Sequence, residues 1–263
     1  VKELVENSID AGANRVRVEI ERGGFDRITV IDDGHGIPKD ELSLAITRHA
    51  TSKLSSSDDL SSIETKGFRG EALASIGAVS ELVVASRIGD GDGVQIRVDN
   101  GIVGDVEAAG IAPGTRIDVL SLFAKVPARL SFQRRPSTET AAIVDVGVQM
   151  ALAEPNAGIL IEVDGRKVLD CPPTESAEDR LYDLFGSTSS ELIPLTSSQA
   201  DSDAPGGEKW TGWISPPGLN RSRADDVHIL VNGRPVSPGP FLQSVRRGYH
   251  TRLMVGRHPI GVL

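Results

Sequence analysis

A chain of 263 residues is long enough to bury one large core or two modest ones. A single cysteine excludes a disulfide framework and most thiolate metal sites, and the sequence has no long apolar run or secretory leader, so a cytoplasmic protein without a membrane partner is expected. A formal net charge of -9 excludes a surface that is basic all over, leaving only a local groove for nucleic acid.

The chain opens on VKELVENSID, where Val1, Leu4, Val5, Ser8 and Ile9 form one helical stripe and Glu3, Glu6, Asn7 and Asp10 another. AGAN stops this helix, VRVEI alternates as a strand, Gly23-Gly24 turns, and RITVI alternates again. PKDELSLAITRHA has the proline and acidic residues of a helix start. TSKLSSSDDLSSIETKGFRG is too long for an ordinary connection and is expected to be a functional lid. EALASIGAVS reads as a short helix. ELVVASRI, GVQIRVDN, GTRIDVLSLF and AGILIEVDGRKVLD then read as strands, interrupted by a helix over TETAAIVDVGVQMALA. This pattern predicts an α/β sandwich with a mixed or antiparallel sheet covered on one face, and no GxGxxG supports a Rossmann domain. Composition shifts at TSSQADSDAPGGEK, so a first domain over 1–195, an acidic linker or loop over 196–209 and a second domain over 210–263 are expected. With no initiating methionine and a strand-like HPIGVL at its end, the sequence is expected to be a segment of a longer chain.

Four places carry candidate chemistry. Glu3 and Asn7, four residues apart, share a helix face, and a carboxylate beside an amide oxygen suits Mg²⁺ and its water. In IDDGHGIP a strand delivers Asp32 and Asp33 to its end, and Gly34 and Gly36 permit a sharp turn or close ligand approach. Asp32 there is compatible with an Asp-Gly turn or with an acceptor for an adenine amino group. Gly67 and Gly70 bracket Phe68 and Arg69 ahead of a helix, where free N–H groups cradle phosphate, although the ending of a Walker A loop is missing. Thr115 enters a strand, either for β propensity or to bond a base or water beside Asp32.

In their order, VKELVENSIDAGA, DDGHGI, RHATSK, GFRGEALASI, GT, PARLSF and VNGR resemble the N-terminal ATPase region of the MutL DNA mismatch repair proteins, within the wider gyrase B, Hsp90 and histidine kinase ATPase group. The resemblance implies a two-layer α/β sandwich of that ATPase type, followed by a partial transducer domain of ribosomal-protein-S5-like fold. It implies Glu3 as general base, Asn7 as Mg²⁺ ligand, Asp32 as adenine reader, Gly36 for close approach and Thr115 as a neighbouring contact. Thr51, Ser52 and Lys53 match the start of an ATP lid, and Gly67, Phe68, Arg69 and Gly70 its phosphate-holding end. The cofactors implied are ATP and Mg²⁺. The partners implied are DNA, a MutS-type mismatch sensor, a downstream nuclease and helicase, and a second copy in a homodimer, with nucleoid association in a prokaryote.

Asp33 stands where the family has asparagine, and is expected to add negative charge near the nucleotide. The family's arm before the opening helix and its γ-phosphate lysine are expected to lie outside these 263 residues, so no residue is given that lysine's role. Arg234, Arg246 and Arg247 are candidates for weak, sequence-independent DNA contact, and a solvated helix face explains Arg246 and Arg247 equally well. Two other classes compete: the ATPase subunit of a type II topoisomerase, against which GFRGEALASI argues, and a scaffold that binds no nucleotide.

Overall fold

The computed structural model describes residues 1–47, 72–197 and 209–263. They form two compact units, one of residues 1–151 and 155–175 and the other of residues 152–154 and 176–263.

The first unit is built on one mixed sheet. Its strands are β1 (Arg15–Glu21), β2 (Arg27–Asp32), β3 (Glu81–Arg87), β4 (Val94–Asp99), β5 (Ile102–Val103), β6 (Glu107–Ala108), β7 (Gly114–Leu120), β8 (Gly158–Val163) and β9 (Arg166–Cys171). The order is β5-β4-β3-β7-β2-β1-β8-β9, with β6 also on β4. Every pairing is antiparallel except β1 with β8. The short strands β5 and β6 were not expected, and at two residues each they offer too little alternation to read.

Because side chains alternate along a strand, the register divides the sheet into a dry and a wet face. Two cross-strand rows on the dry face are wholly aliphatic: Ile20, Ile28, Val119, Leu82 and Val98, then Val18, Val30, Ile117, Val84 and Ile96. All ten are buried. The opposite face carries Arg17 with Glu19 and Glu162, Arg116 with Asp118, and Arg97 with Glu81. Exposed pairs of this kind contribute little to stability; they keep that face in water.

Helices cover the dry face. Helix α1 (Lys2–Asp10) buries Leu4, Val5 and Ser8, α2 (Lys39–Ala45) buries Leu42, and α3 (Ala72–Gly77) buries Leu73 and Ala74. A single turn, α4 (Pro127–Leu130), precedes α5 (Pro136–Ala153). Gly147 lets α5 lie close on β8 and β9: a Cβ there would sit 2.3 Å from Ile161 Cδ1 and 3.0 Å from Leu169 Cδ2. This is the one-sided sandwich that the strand pattern predicts.

The second unit begins earlier than expected. Its helix α6 (Ala177–Phe185) starts at Ser176, whose hydroxyl accepts the Asp179 N–H at 3.1 Å, and Glu178 and Asp179 favour the same end electrostatically. Strand β10 (Ile193–Thr196) pairs with β11 (Thr211–Ile214) of this unit. The packing therefore divides the chain after residue 175, not at 195, and Thr196 belongs to a strand instead of a linker. Residues 198–208 of the expected linker lie outside the described residues. The remaining elements are β12 (Asn220–Arg221), β13 (Val227–Val231), β14 (Arg234–Val236), α7 (Gly239–Tyr249), β15 (His258–Pro259) and β16 (Gly261–Val262). The main sheet of this unit runs β10-β11-β16-β13-β14, and its core gathers Leu181, Leu192, Ile260 and Val262. No helix among the described residues is long and apolar enough to cross a membrane.

Candidate functional site

The dry face of the first unit changes character in its third row. Where the other two rows are aliphatic, this one reads Val16, Asp32, Thr115, Ser86 and Val94 across β1, β2, β7, β3 and β4. Asp32, Thr115 and Ser86 are all buried, and Ser8 of α1 reaches the same place from the helical layer. Four buried polar side chains at the end of an aliphatic face carry a desolvation cost unless they are bonded.

They are bonded to one another and to the turn that follows β2. Asp32 Oδ2 accepts the Ser8 hydroxyl at 2.7 Å, while Oδ1 accepts the Gly34 N–H at 3.0 Å and the Thr115 N–H at 3.2 Å. Ser8 Oγ also lies 3.1 Å from the Leu4 carbonyl, but a hydroxyl has one proton, and the ionised carboxylate takes it. Burial pushes the Asp32 carboxyl above the ordinary aspartate range, against the pull of the Ser8, Gly34 and Thr115 hydrogen bonds. A carboxylate has about four acceptor directions. Three are used, so Asp32 retains capacity for one further donor. The Thr115 hydroxyl lies 3.4 Å from Ser86 Oγ, at the weak limit of a hydrogen bond, so its proton can turn to a ligand at little cost.

Two glycines allow the backbone to close around this carboxylate. Gly36 has φ +77°, and a Cβ there would stand 2.6 Å from the Arg87 carbonyl oxygen. Gly114 has φ +116°, and a Cβ there would fall 2.0 Å from the carbonyl oxygen of Asp32. The turn is also tied to the end of α1, since the His35 N–H donates to the Ala11 carbonyl at 3.0 Å.

Helix α1 is thus tied to the Asp32 turn through Ser8 and through Ala11 at its end. Glu3 is exposed and Asn7 half-buried, both off the buried stripe of Leu4, Val5 and Ser8. Among the described residues no three His, Cys, Asp or Glu side chains converge on a point as a metal cage would require. The donor set still suits Mg²⁺, which is commonly held by one or two protein oxygens together with substrate phosphates and water.

The structure brings Asp32, Gly36 and Thr115 together and joins them through Ser8 to the helix of Glu3 and Asn7. Thr51, Ser52, Lys53, Gly67, Phe68, Arg69 and Gly70 lie outside the described residues. Asp33 does not join the buried group: its exposed carboxylate accepts the Arg15 N–H at 2.8 Å and so holds the start of β1, and its charge is the smallest influence on Asp32. Arg234 opens β14, and Arg246 and Arg247 lie in the last turn of α7, all exposed. Ser8 and Ser86 were missed, yet both leave a trace in the sequence. Ser8 interrupts the apolar stripe of α1, and Ser86 ends the inward series Leu82, Val84.

Comparison with known proteins agrees with this architecture. Residues 1–113 match the family of histidine kinase-, DNA gyrase B- and HSP90-like ATPases, and residues 182–263 match the C-terminal domain family of DNA mismatch repair proteins. The chain is 45% identical over 261 residues to a DNA mismatch repair protein MutL of Rhizorhabdus wittichii, covering 99% of this chain and 43% of that protein. It is 43% identical to the MutL of Acidiphilium cryptum, covering 100% of this chain and 44% of the relative. The chain therefore spans less than half the length of these relatives. Among solved structures, the Aquifex aeolicus MutL ATPase domain complexed with ADP is similar at a TM-score of 0.71 and 24% identity, covering all of this chain and 89% of that one. The N-terminal domain of a DNA repair protein is similar at a TM-score of 0.78 and 23% identity, covering all of this chain and 81% of that one. The fold is the α/β sandwich of the gyrase B, Hsp90 and histidine kinase ATPases followed by an S5-like α/β domain, as the motifs imply. With an ATPase-type first unit, a mismatch-repair second unit and 43–45% identity along its whole length to two MutL proteins, the chain is similar throughout to a part of the MutL DNA mismatch repair proteins.

Proposed function

We propose that the chain is the ATP-operated part of a mismatch repair clamp, binding and slowly hydrolysing Mg²⁺-ATP. The observation that carries this reading is the buried Asp32 carboxylate, which has an acceptor direction to spare and is linked through Ser8 to the helix bearing Glu3 and Asn7.

In this reading Asp32 accepts the adenine amino group and Thr115 donates beside it. Gly36 and Gly114 keep the backbone close enough for a flat base to lie against it. Asn7 supplies the protein oxygen for Mg²⁺, which when bound offsets the charge of the triphosphate. Glu3 orients the attacking water and takes its proton; an exposed carboxylate on a helix face is suited to that exchange. Thr51, Ser52, Lys53, Gly67, Phe68, Arg69 and Gly70 are assigned to a lid that holds phosphate through backbone N–H groups and excludes water. A MutL ATPase domain of the same fold has been solved with ADP, which supports a nucleotide at this site.

ATP binding would bring two copies together and hydrolysis would part them, coupling a MutS-type mismatch sensor to a downstream nuclease and helicase. Arg234, Arg246 and Arg247 would give weak, sequence-independent contact with DNA phosphates. Light scattering of the full-length protein, with and without a non-hydrolysable ATP analogue, tests the clamp. Association that depends on the analogue supports it, and an unchanged mass contradicts it.

A further inference from the structure

We propose that Ser86 is a positioning residue for nucleotide selection, holding in place the two backbone donors that orient Asp32. The proposal rests on the reading of Asp32 as the adenine contact.

Ser86 sits at an inward position of β3, following Leu82 and Val84, with 0% of its surface exposed. An aliphatic side chain there would complete the row, and a buried hydroxyl is tolerated only if its bonds are made. The Ile37 N–H donates to Ser86 Oγ at 2.7 Å, and Ser86 Oγ donates to the Gly114 carbonyl at 3.0 Å. These two bonds span the gap between the turn after β2 and the start of β7. Asp32 is aimed by groups on those same two segments, the Gly34 N–H on the turn and the Thr115 N–H on β7.

The two segments are also in close backbone contact with their neighbours. Gly36 lies against the Arg87 carbonyl and Gly114 against the Asp32 carbonyl, at distances no side chain would permit. Ser86 bonds to both from outside the Asp32 group: its proton goes to β7 and its lone pair receives the turn. Recognition of a base by one buried carboxylate requires the carboxylate to be held within roughly 0.5 Å of its working position. Loss of the Ser86 bridge releases the Ile37 N–H and the Gly114 carbonyl together, so both donors to Asp32 can drift. Ser86 need not touch the base to alter its selection.

The test compares the full-length parent with Ser86→Ala and Ser86→Cys, using ATP, ADP and GTP as probes in equilibrium titrations and thermal unfolding as a control. For Ser86→Ala the expected result is that ATP and ADP both weaken by the same factor, on the order of 10-fold, as fits a buried bonding group left unpaired. The preference for ATP over GTP narrows with it, and Ser86→Cys, of similar shape and weaker hydrogen bonding, falls between. A merely structural serine would lower the unfolding temperature and leave the affinities and the ATP preference of the folded protein at parental values; that result overturns the proposal. Failure of both variants to fold overturns it too, since Ser86 would then be needed for the architecture itself. A parent that does not bind ATP, or binds GTP equally, removes the reading of Asp32 underneath and the Ser86 proposal with it.

Discussion

Replacing Asp32 by asparagine is expected to strengthen the nucleotide-free fold and weaken the nucleotide complex, and hydrogen-bond accounting explains both. The amide oxygen of the asparagine can take over from Oδ1, accepting the Gly34 and Thr115 N–H groups. The amide NH₂ then occupies the place of Oδ2 and donates to Ser8 Oγ, whose own proton is freed for the Leu4 carbonyl at 3.1 Å. Every bond of the network survives, and a buried charge is removed. Because the Asp32 carboxyl is pushed above its ordinary value in the folded protein, the fold binds this proton more tightly than the unfolded chain does. The Asp32 contribution to stability therefore falls as pH rises from the ordinary aspartate value through the raised one, and the cost is fully present above it. Asp32→Asn should abolish that slope and raise the neutral-pH stability by ~0.5–2 kcal/mol, the range of single stabilising substitutions. Binding moves the other way. With its NH₂ toward Ser8, the amide meets the adenine amino group donor to donor, and turning it over would set the NH₂ against two backbone N–H groups. Loss of a hydrogen bond to a charged acceptor is worth ~1.5–3 kcal/mol, or roughly 10- to 150-fold in ATP affinity. Thermal unfolding at several pH values and ATP titration of the full-length variant check the two halves. A variant less stable than the parent by the same amount at every pH would refute the account of the buried charge. Unchanged ATP affinity would refute the base contact.

The other substitutions divide the site by role. Asn7→Ala should abolish most of the Mg²⁺ enhancement of ATP binding, and a calorimetric titration with and without Mg²⁺ that showed no difference from the parent would remove Asn7 as a ligand. Gly114→Ala combines φ +116° with a Cβ 2.0 Å from the Asp32 carbonyl oxygen. It should cost about 1–3 kcal/mol or more in denaturant unfolding, and a variant as stable as the parent would contradict the close approach. Replacing Arg234, Arg246 and Arg247 by glutamine should weaken binding to all duplexes by similar factors and reduce the slope of log affinity against log salt by roughly one unit for each phosphate no longer neutralised. A sequence-dependent loss would indicate base contact instead.

Much of the first unit was legible because its signals are local. Alternation in β1, β2, β3, β4 and β7 shows which side chains face inward, and the polar stripe of α1 is visible at helical spacing. The parallel pairing of β1 with β8 was not legible, since its partners, Val16 and Ile159 among them, lie far apart in the chain. The role of Asp33 was hidden for a related reason: its partner is a backbone N–H at Arg15, and backbone groups carry no sequence signature. Helix α6 and the division after residue 175 were overlooked although Ser176, three residues before Asp179, marks a helix start. Ser8 and Ser86 are the more instructive misses. Each is a polar residue at a position that periodicity assigns to the core, and it is there that an aliphatic face gives way to a site.

The central claim is that Glu3 performs the chemistry and the Asp32 group performs the recognition. Its most direct test is Glu3→Ala in the full-length protein, with ATP affinity measured at equilibrium and hydrolysis measured in a single turnover. Affinity should stay near the parental value while the hydrolysis rate falls by about 10²-fold or more, the scale of losing a positioned general base. Hydrolysis at the parental rate would contradict the assignment of Glu3 and, with it, the account of α1 as the catalytic helix.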